Sequence, residues 1–128
     1  MNELTTEWIA KAEGDYATAD RERRARRRPN YDAACFHAQQ TAEKYLKAFL
    51  QEQSANFPKT HSLIELLEIA LPFDESLELQ RELLVQLERY AVRYRYPGES
   101  ADKDEARAAL RAAKVVRTFI RQRLGLKQ

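Results

Sequence analysis

NYDAACFHAQQTAEKYLKAFL, residues 30–50, carries two rows of residues at helical spacing. Tyr31, Ala34, Ala38, Ala42, Tyr45 and Phe49 recur every three or four positions, which places them on one face of a helix. His37, Gln40, Lys44, Lys47 and Gln51 recur at spacings of three, four, three and four, on a line opposite that face. The stretch therefore reads as a helix from Tyr31 to about Gln53, capped by Asn30 after Pro29. The alanines on its apolar face let a neighbouring helix approach closely. The polar row has two readings: a solvated surface of good helix formers, or a site where lysines meet phosphate and His37 and the glutamines donate hydrogen bonds.

Upstream, Leu4 to Arg27 reads as a first helix with Leu4, Trp8, Ala12, Tyr16 and Ala19 facing inward. Gly14 inside it is costly relative to alanine and points to a close helix crossing. Downstream, prolines at 58, 72 and 97 interrupt the apolar pattern and divide the chain into further helical segments. A short third helix carries Leu63, Ile64, Leu66, Leu67 and Leu71, with Thr60 or Ser62 as cap and Glu65 at capping-box spacing from Ser62. A fourth runs from after Asp74 to about Tyr94, with Leu77, Leu84, Leu87, Ala91 and Tyr94 on its core side. Leu79, Leu83 and Tyr90 widen that face, an arc that fits the centre of a bundle or a partner surface. The fifth begins near Ser100, buries Ala106, Leu110, Ala113, Val116, Ile120 and Leu124, and stops at Gly125. No segment alternates as a strand does. The expected fold is all-α: one domain over residues 1–128, an up-and-down bundle of four long helices with one short inserted helix.

Composition narrows the function. The chain of 128 residues is long enough to bury a core without staples. Its single cysteine, Cys35, excludes an internal disulfide and reads as a small buried hydrophobe. The opening MNELTTEWIAKAEGDY is amphipathic and charged, unlike a secretory leader, and no window is apolar enough to span a bilayer. A cytoplasmic location without a membrane is expected. Twenty-two Lys and Arg nearly cancel twenty Asp and Glu, so net charge does not argue for nucleic acid, although RERRARRR (21–28) concentrates six arginines.

Two further constellations stand out. His61, with Lys59 and Thr60, opens the third helix, where it can bond a free backbone group or line an anion site. YAVRYRYPG (90–98) alternates cation and aromatic, a pattern that can stack a base and hold a phosphate or simply end a helix. Tyr90 and Tyr94 fit the core stripe, which leaves Arg93, Arg95 and Tyr96 as binding candidates. With two histidines on separate helices, neither a metal set nor a catalytic triad is readable.

WIAKAEGDYATA, YDAACFHAQQTAEKYLKAFL, KTHSLIELL and YAVRYRYPG, in this order, resemble the HEPN domain family, the nucleotide-binding domain of higher eukaryotes and prokaryotes. The likeness covers about residues 6 to 124. It implies a bundle like the C-terminal domain of kanamycin nucleotidyltransferase, a homodimer, and pairing with a minimal nucleotidyltransferase in toxin–antitoxin-like modules. The family's ribonucleases carry an arginine followed by four to six residues and a histidine; no arginine stands at that distance before His37 or His61. Arginine and tyrosine near neutral pH replace poorly a group of pKa near about 6.5. The reading is thus a non-catalytic nucleotide- or substrate-binding subunit, with no catalytic residue assigned. His37, Gln40, Lys44, Lys47, His61, Arg93, Arg95 and Tyr96 are its candidate contacts. No intrinsic cofactor or metal is expected, and ATP or another nucleotide is the candidate ligand. A purely structural dimerisation module and an RNA-cleaving enzyme are the alternatives, with nucleic acid a weaker partner.

Overall fold

A computed structural model describes residues 1–127, which form five α-helices and two 3-10 segments. Helix α1 spans Glu3–Arg24, α2 Tyr31–Glu52, α3 Leu63–Ala70, α4 Arg81–Glu88 and α5 Lys103–Arg123. Local chemistry sets most of the boundaries. Asn2, Asn30, Ser62 and Asp102 each accept the backbone N–H three residues on, satisfying one of the free donors at a helix start. Gly125, with φ of 75°, closes α5 in the left-handed conformation that glycine adopts without strain. At α3 the capping box is modified: Ser62 caps Glu65, while the Glu65 carboxylate reaches the Thr60 hydroxyl instead of the cap N–H.

The centre of the molecule is α2, not the fourth segment. Thirteen of its 22 residues are buried, including all of Glu43–Phe49 except Lys44. Helix α1 lies antiparallel to it: Asn2 meets Gln51 and Glu52 at one end, and Asp15 meets His37 further along. Helix α5 runs alongside α2 in the same direction, with Asp32 accepting from the Ala101 N–H and Arg121 reaching the Tyr45 hydroxyl. Small residues make this close packing possible: Ala12, Ala19, Ala34, Ala38, Ala42, Ala106, Ala109, Ala112 and Ala113 are all buried. The larger core side chains are Tyr45, Leu46, Leu50, Leu63, Leu66, Leu67, Leu77, Leu84, Leu87 and Ile120.

Four expectations are corrected. Helix α1 ends at Arg24, so Arg26, Arg27 and Arg28 lie beyond it, Arg28 at a φ of 49°. Leu4 is exposed, and the inward row of α1 reads Thr5, Trp8, Ala12, Asp15 and Ala19 instead, with Tyr16 partly buried beside it. Gly14 faces open space, where a Cβ would meet nothing, so it serves no helix crossing. The long fourth helix is a 3-10 segment (Glu75–Gln80), the eight-residue α4, and a 3-10 turn (Arg89–Ala91). The break has a local cause. Asp74 accepts both the N–H and the hydroxyl of Ser76, two residues on, a bond that favours a 3-10 first turn with fewer residues than an α-helical one. At the other end Tyr90, Val92, Tyr94 and Tyr96 are weak helix formers, and the chain leaves the helix at Val92. Among the described residues no helix is long and apolar enough to cross a membrane.

Candidate functional site

The polar row of α2 turns out to face α1 rather than solvent. Two carboxylates organise it. Asp15 on α1 is buried and accepts from His37 Nδ1 at 2.7 Å and from Lys44 Nζ at 2.5 Å. Glu43, one residue from the row, has a side chain only 3% exposed. It accepts from Lys47 Nζ at 3.0 Å and His61 Nδ1 at 3.1 Å, and from Gln39 and Gln40 at 3.4 Å. Lys47 is 6% exposed, and its ammonium also lies 5.4 Å from the centre of the Trp8 ring. Buried charge is costly unless paired and hydrogen-bonded, and each of these charges is. Lys44 and Lys47 thus close the α1–α2 seam, while Gln40 bonds within α2, to Gln39 and Glu43. Asp15 and Glu43 are the partners that sequence reasoning missed. A legible signal existed in Asp15 falling on the inward row of α1 and in Glu43 standing four residues before Lys47.

His61 is 76% exposed, but its Nδ1 is turned onto Glu43. The anion site envisaged at the start of α3 does not form. Glu88 accepts from the Ile64 N–H and the Ser62 hydroxyl, and Ser62 takes the Glu65 N–H. Three carboxylates, Glu43, Glu65 and Glu88, therefore surround the place where an anion would sit. Lys59 is exposed.

The residues that do converge on open space are His37 and Arg95. They line a cleft of about 340 Å³ with Asn30, Asp32, Phe36, Tyr90 and Tyr94, between the first turns of α2 and the Arg–Tyr segment after α4. Arg95 lies over the Phe36 ring at 5.7 Å and is paired with no carboxylate among the described residues. The Phe36 and His37 rings meet edge to face at 5.4 Å. Because Nδ1 of His37 donates to Asp15, its Nε2 is the nitrogen left for a ligand. Tyr90 and Tyr94 stack at 6.0 Å, and burial, with Glu105 adding to it, pushes both hydroxyls up to about 12. They remain protonated, and the Tyr90 hydroxyl donates to Glu105 at 3.1 Å. Arg93 is turned away from the cleft: it lies 5.2 Å from the Tyr94 ring and within 4 Å of Glu99 and Glu105. Tyr96 is exposed and does not line the cleft. Cys35 is fully buried, its thiol pushed up to about 12 by burial, as fits a packing residue.

The cleft thus offers one unpaired cation, one oriented imidazole and aromatic surface, with Asp32 held on the Ala101 N–H. That set can hold an anionic ligand bearing a flat ring. It contains no activated nucleophile.

Comparison with known proteins agrees with the fold. The chain is similar to TT1696 from Thermus thermophilus, whose crystal structure superposes with a TM-score of 0.80 at 28% identity. The match covers 95% of this chain and 98% of that one. No curated protein matches. The family model described as HEPN domain matches residues 5–123, nearly the whole chain, and the protein belongs to the HEPN domain family.

Proposed function

We propose that the protein is a non-catalytic binding subunit whose ligand is a nucleotide, held in the cleft between α2 and the Arg–Tyr segment. The observation that carries this reading is Arg95 set over Phe36 beside His37, whose ring is fixed by a buried carboxylate. An exposed guanidinium without a carboxylate partner contributes little to the fold and suits a phosphate, which it can grip through two N–H groups. Phe36 and Tyr94 line the cleft and supply apolar surface against a base or ribose. The metal and the chemistry would come from a nucleotidyltransferase partner, a pairing that rests on the family resemblance alone.

Calorimetric titration of ATP and GTP, with and without magnesium, tests the reading on wild type, Arg95→Ala and His37→Gln. Saturable binding is expected, falling at least tenfold in either variant. The melting temperature of Arg95→Ala should stay unchanged, because Arg95 is exposed. Binding that survives both substitutions would move the site elsewhere. A folded wild type that binds neither nucleotide would end the reading and leave a purely structural module.

A further inference from the structure

A second surface, on the opposite flank of α2's partners, is unused by that reading. Helices α1 and α5 enclose a groove of about 290 Å³ lined by Tyr16, Asp20 and Arg23 on one side and Arg107, Leu110, Arg111 and Lys114 on the other. Arg107, Arg111 and Lys114 stand at i, i+4 and i+7, one ridge of α5, and all three are exposed. None is paired with a carboxylate among the described residues. The lone carboxylate of the groove, Asp20, is already bonded to Arg23 at 3.0 Å and Arg24 at 2.9 Å. A molecule with a net charge of only +2 therefore concentrates positive charge here. The antiparallel run of α1 and α5 adds to it. Glu13 meets Arg117 and Asp20 lines the groove with Arg107 and Arg111, so the last turns of α1, with Arg23, lie at the Arg107 end.

We infer that this α1–α5 groove binds the sugar–phosphate backbone of a single-stranded nucleic acid, without reading its sequence. Helical rise puts about 10 Å between Arg107 and Lys114, about three nucleotide steps along the axis of a stacked strand at about 3.4 Å of rise each. Arginine's planar fork matches two phosphate oxygens better than lysine's point charge, and two of the three unpaired cations are arginines. The one aromatic ring present, Tyr16, is covered by the Arg117 guanidinium at 4.9 Å, itself clamped on Glu13. A single ring, one face of it taken, is no platform for successive bases, so contact runs to the backbone and tolerates any base.

Fluorescence polarisation of 5′-labelled 12-mers of uridylate and of deoxyadenylate, titrated between 25 and 200 mM KCl on the whole chain, tests this. Similar affinity for both oligomers is expected, falling steeply with salt. Arg107→Gln/Arg111→Gln/Lys114→Gln should weaken binding at least tenfold and lower the salt slope by about 2, since each single-strand phosphate contact contributes about 0.7. Arg107→Gln alone, the fallback if the triple variant does not fold, should lower the slope by about 0.7. Arg95→Ala should leave oligomer binding intact, which separates this groove from the cleft. A slope unchanged in the variants, a strong preference for one oligomer, or equal competition by polyglutamate would each overturn the inference.

Discussion

Glu13 illustrates how single residues join three helices here. Its carboxylate accepts two hydrogen bonds from Arg117, at 2.6 and 2.7 Å, and one from the Tyr45 hydroxyl at 2.5 Å; Arg121 donates to the same hydroxyl. Burial alone would raise the Glu13 pKa. The Arg117 fork, the Tyr45 bond and the charges of Arg117 and Arg121 outweigh it and hold the carboxyl below its ordinary value. A folded-state pKa below the unfolded one means stability that is present above the ordinary carboxylate pKa and lost as pH falls through the lower folded value. Glu13→Gln is expected to cost about 2 kcal/mol near neutrality, the range for hydrogen bonds to charged groups. Urea denaturation should show that difference shrinking below about pH 4.5, as the wild type's advantage is titrated away. A constant difference down to pH 3 would mean that the bond geometry, not the charge, carries the contribution. Arg95 and His37 belong at this scale too. Their residue types were readable as binding groups, but the carboxylate that orients His37 comes from another helix, 22 positions away.

Among the elements, α3 shows how a short helix survives. Eight residues are too few to be stable alone, and α3 persists because Leu63, Leu66, Leu67 and Ala70 are buried and because its start is pinned twice. Ser62 accepts from Glu65 N–H at 3.2 Å and donates to Glu88 on α4 at 2.7 Å, so one hydroxyl caps one helix and ties it to the next. Ser62→Ala should therefore cost about 1–2 kcal/mol, more than a simple cap. Thermal unfolding measures it, and Glu88→Gln should recover less than the full wild-type stability. A loss under about 0.5 kcal/mol, the size of an ordinary surface change, would show that the tie to α4 contributes nothing. The boundaries of α2, α3 and α5 were legible because caps and stop signals act within a few residues. The break of the fourth segment was not. It depends on the Asp74 side chain choosing Ser76, a local bond that competes with the helix and leaves no mark in the apolar spacing.

Across the bundle as a body, one face of α5 remains unpartnered. Ala108, Val115 and Phe119 recur at spacings of seven and four, the seam spacing of paired helices. They line two shallow grooves on the outside of the bundle, one shared with Leu83 and Gln86 of α4 and the other with Gln80 and Gln122. A two-fold axis would set this face against itself in a second copy, with small Ala108 allowing close approach. Val115→Asp is expected to shift sedimentation from dimer to monomer while leaving the helical circular dichroism intact, since Val115 is half exposed. A wild type that sediments as a monomer at high concentration would dismiss this face as an interface.

The all-α class, the five helical segments, most of their caps and the alanine-lined face of α2 are written in the order of the residues, because they depend on spacing and on bonds between near neighbours. The family is written there too, since its motifs fall in order along the chain. What the polar row of α2 does is settled later, when the helices pack. A helical wheel shows that His37, Gln40, Lys44 and Lys47 share a side, but not that α1 brings Asp15 against it or that Glu43 is buried within it. Burial on one side of a helix is set by which neighbour covers it, and α2 is covered on nearly every side. The same holds for the cleft and the groove. Phe36 and Arg95 are 59 positions apart and Arg23 and Arg107 are 84, so their meeting is a property of how the helices pack. No local pattern encodes it.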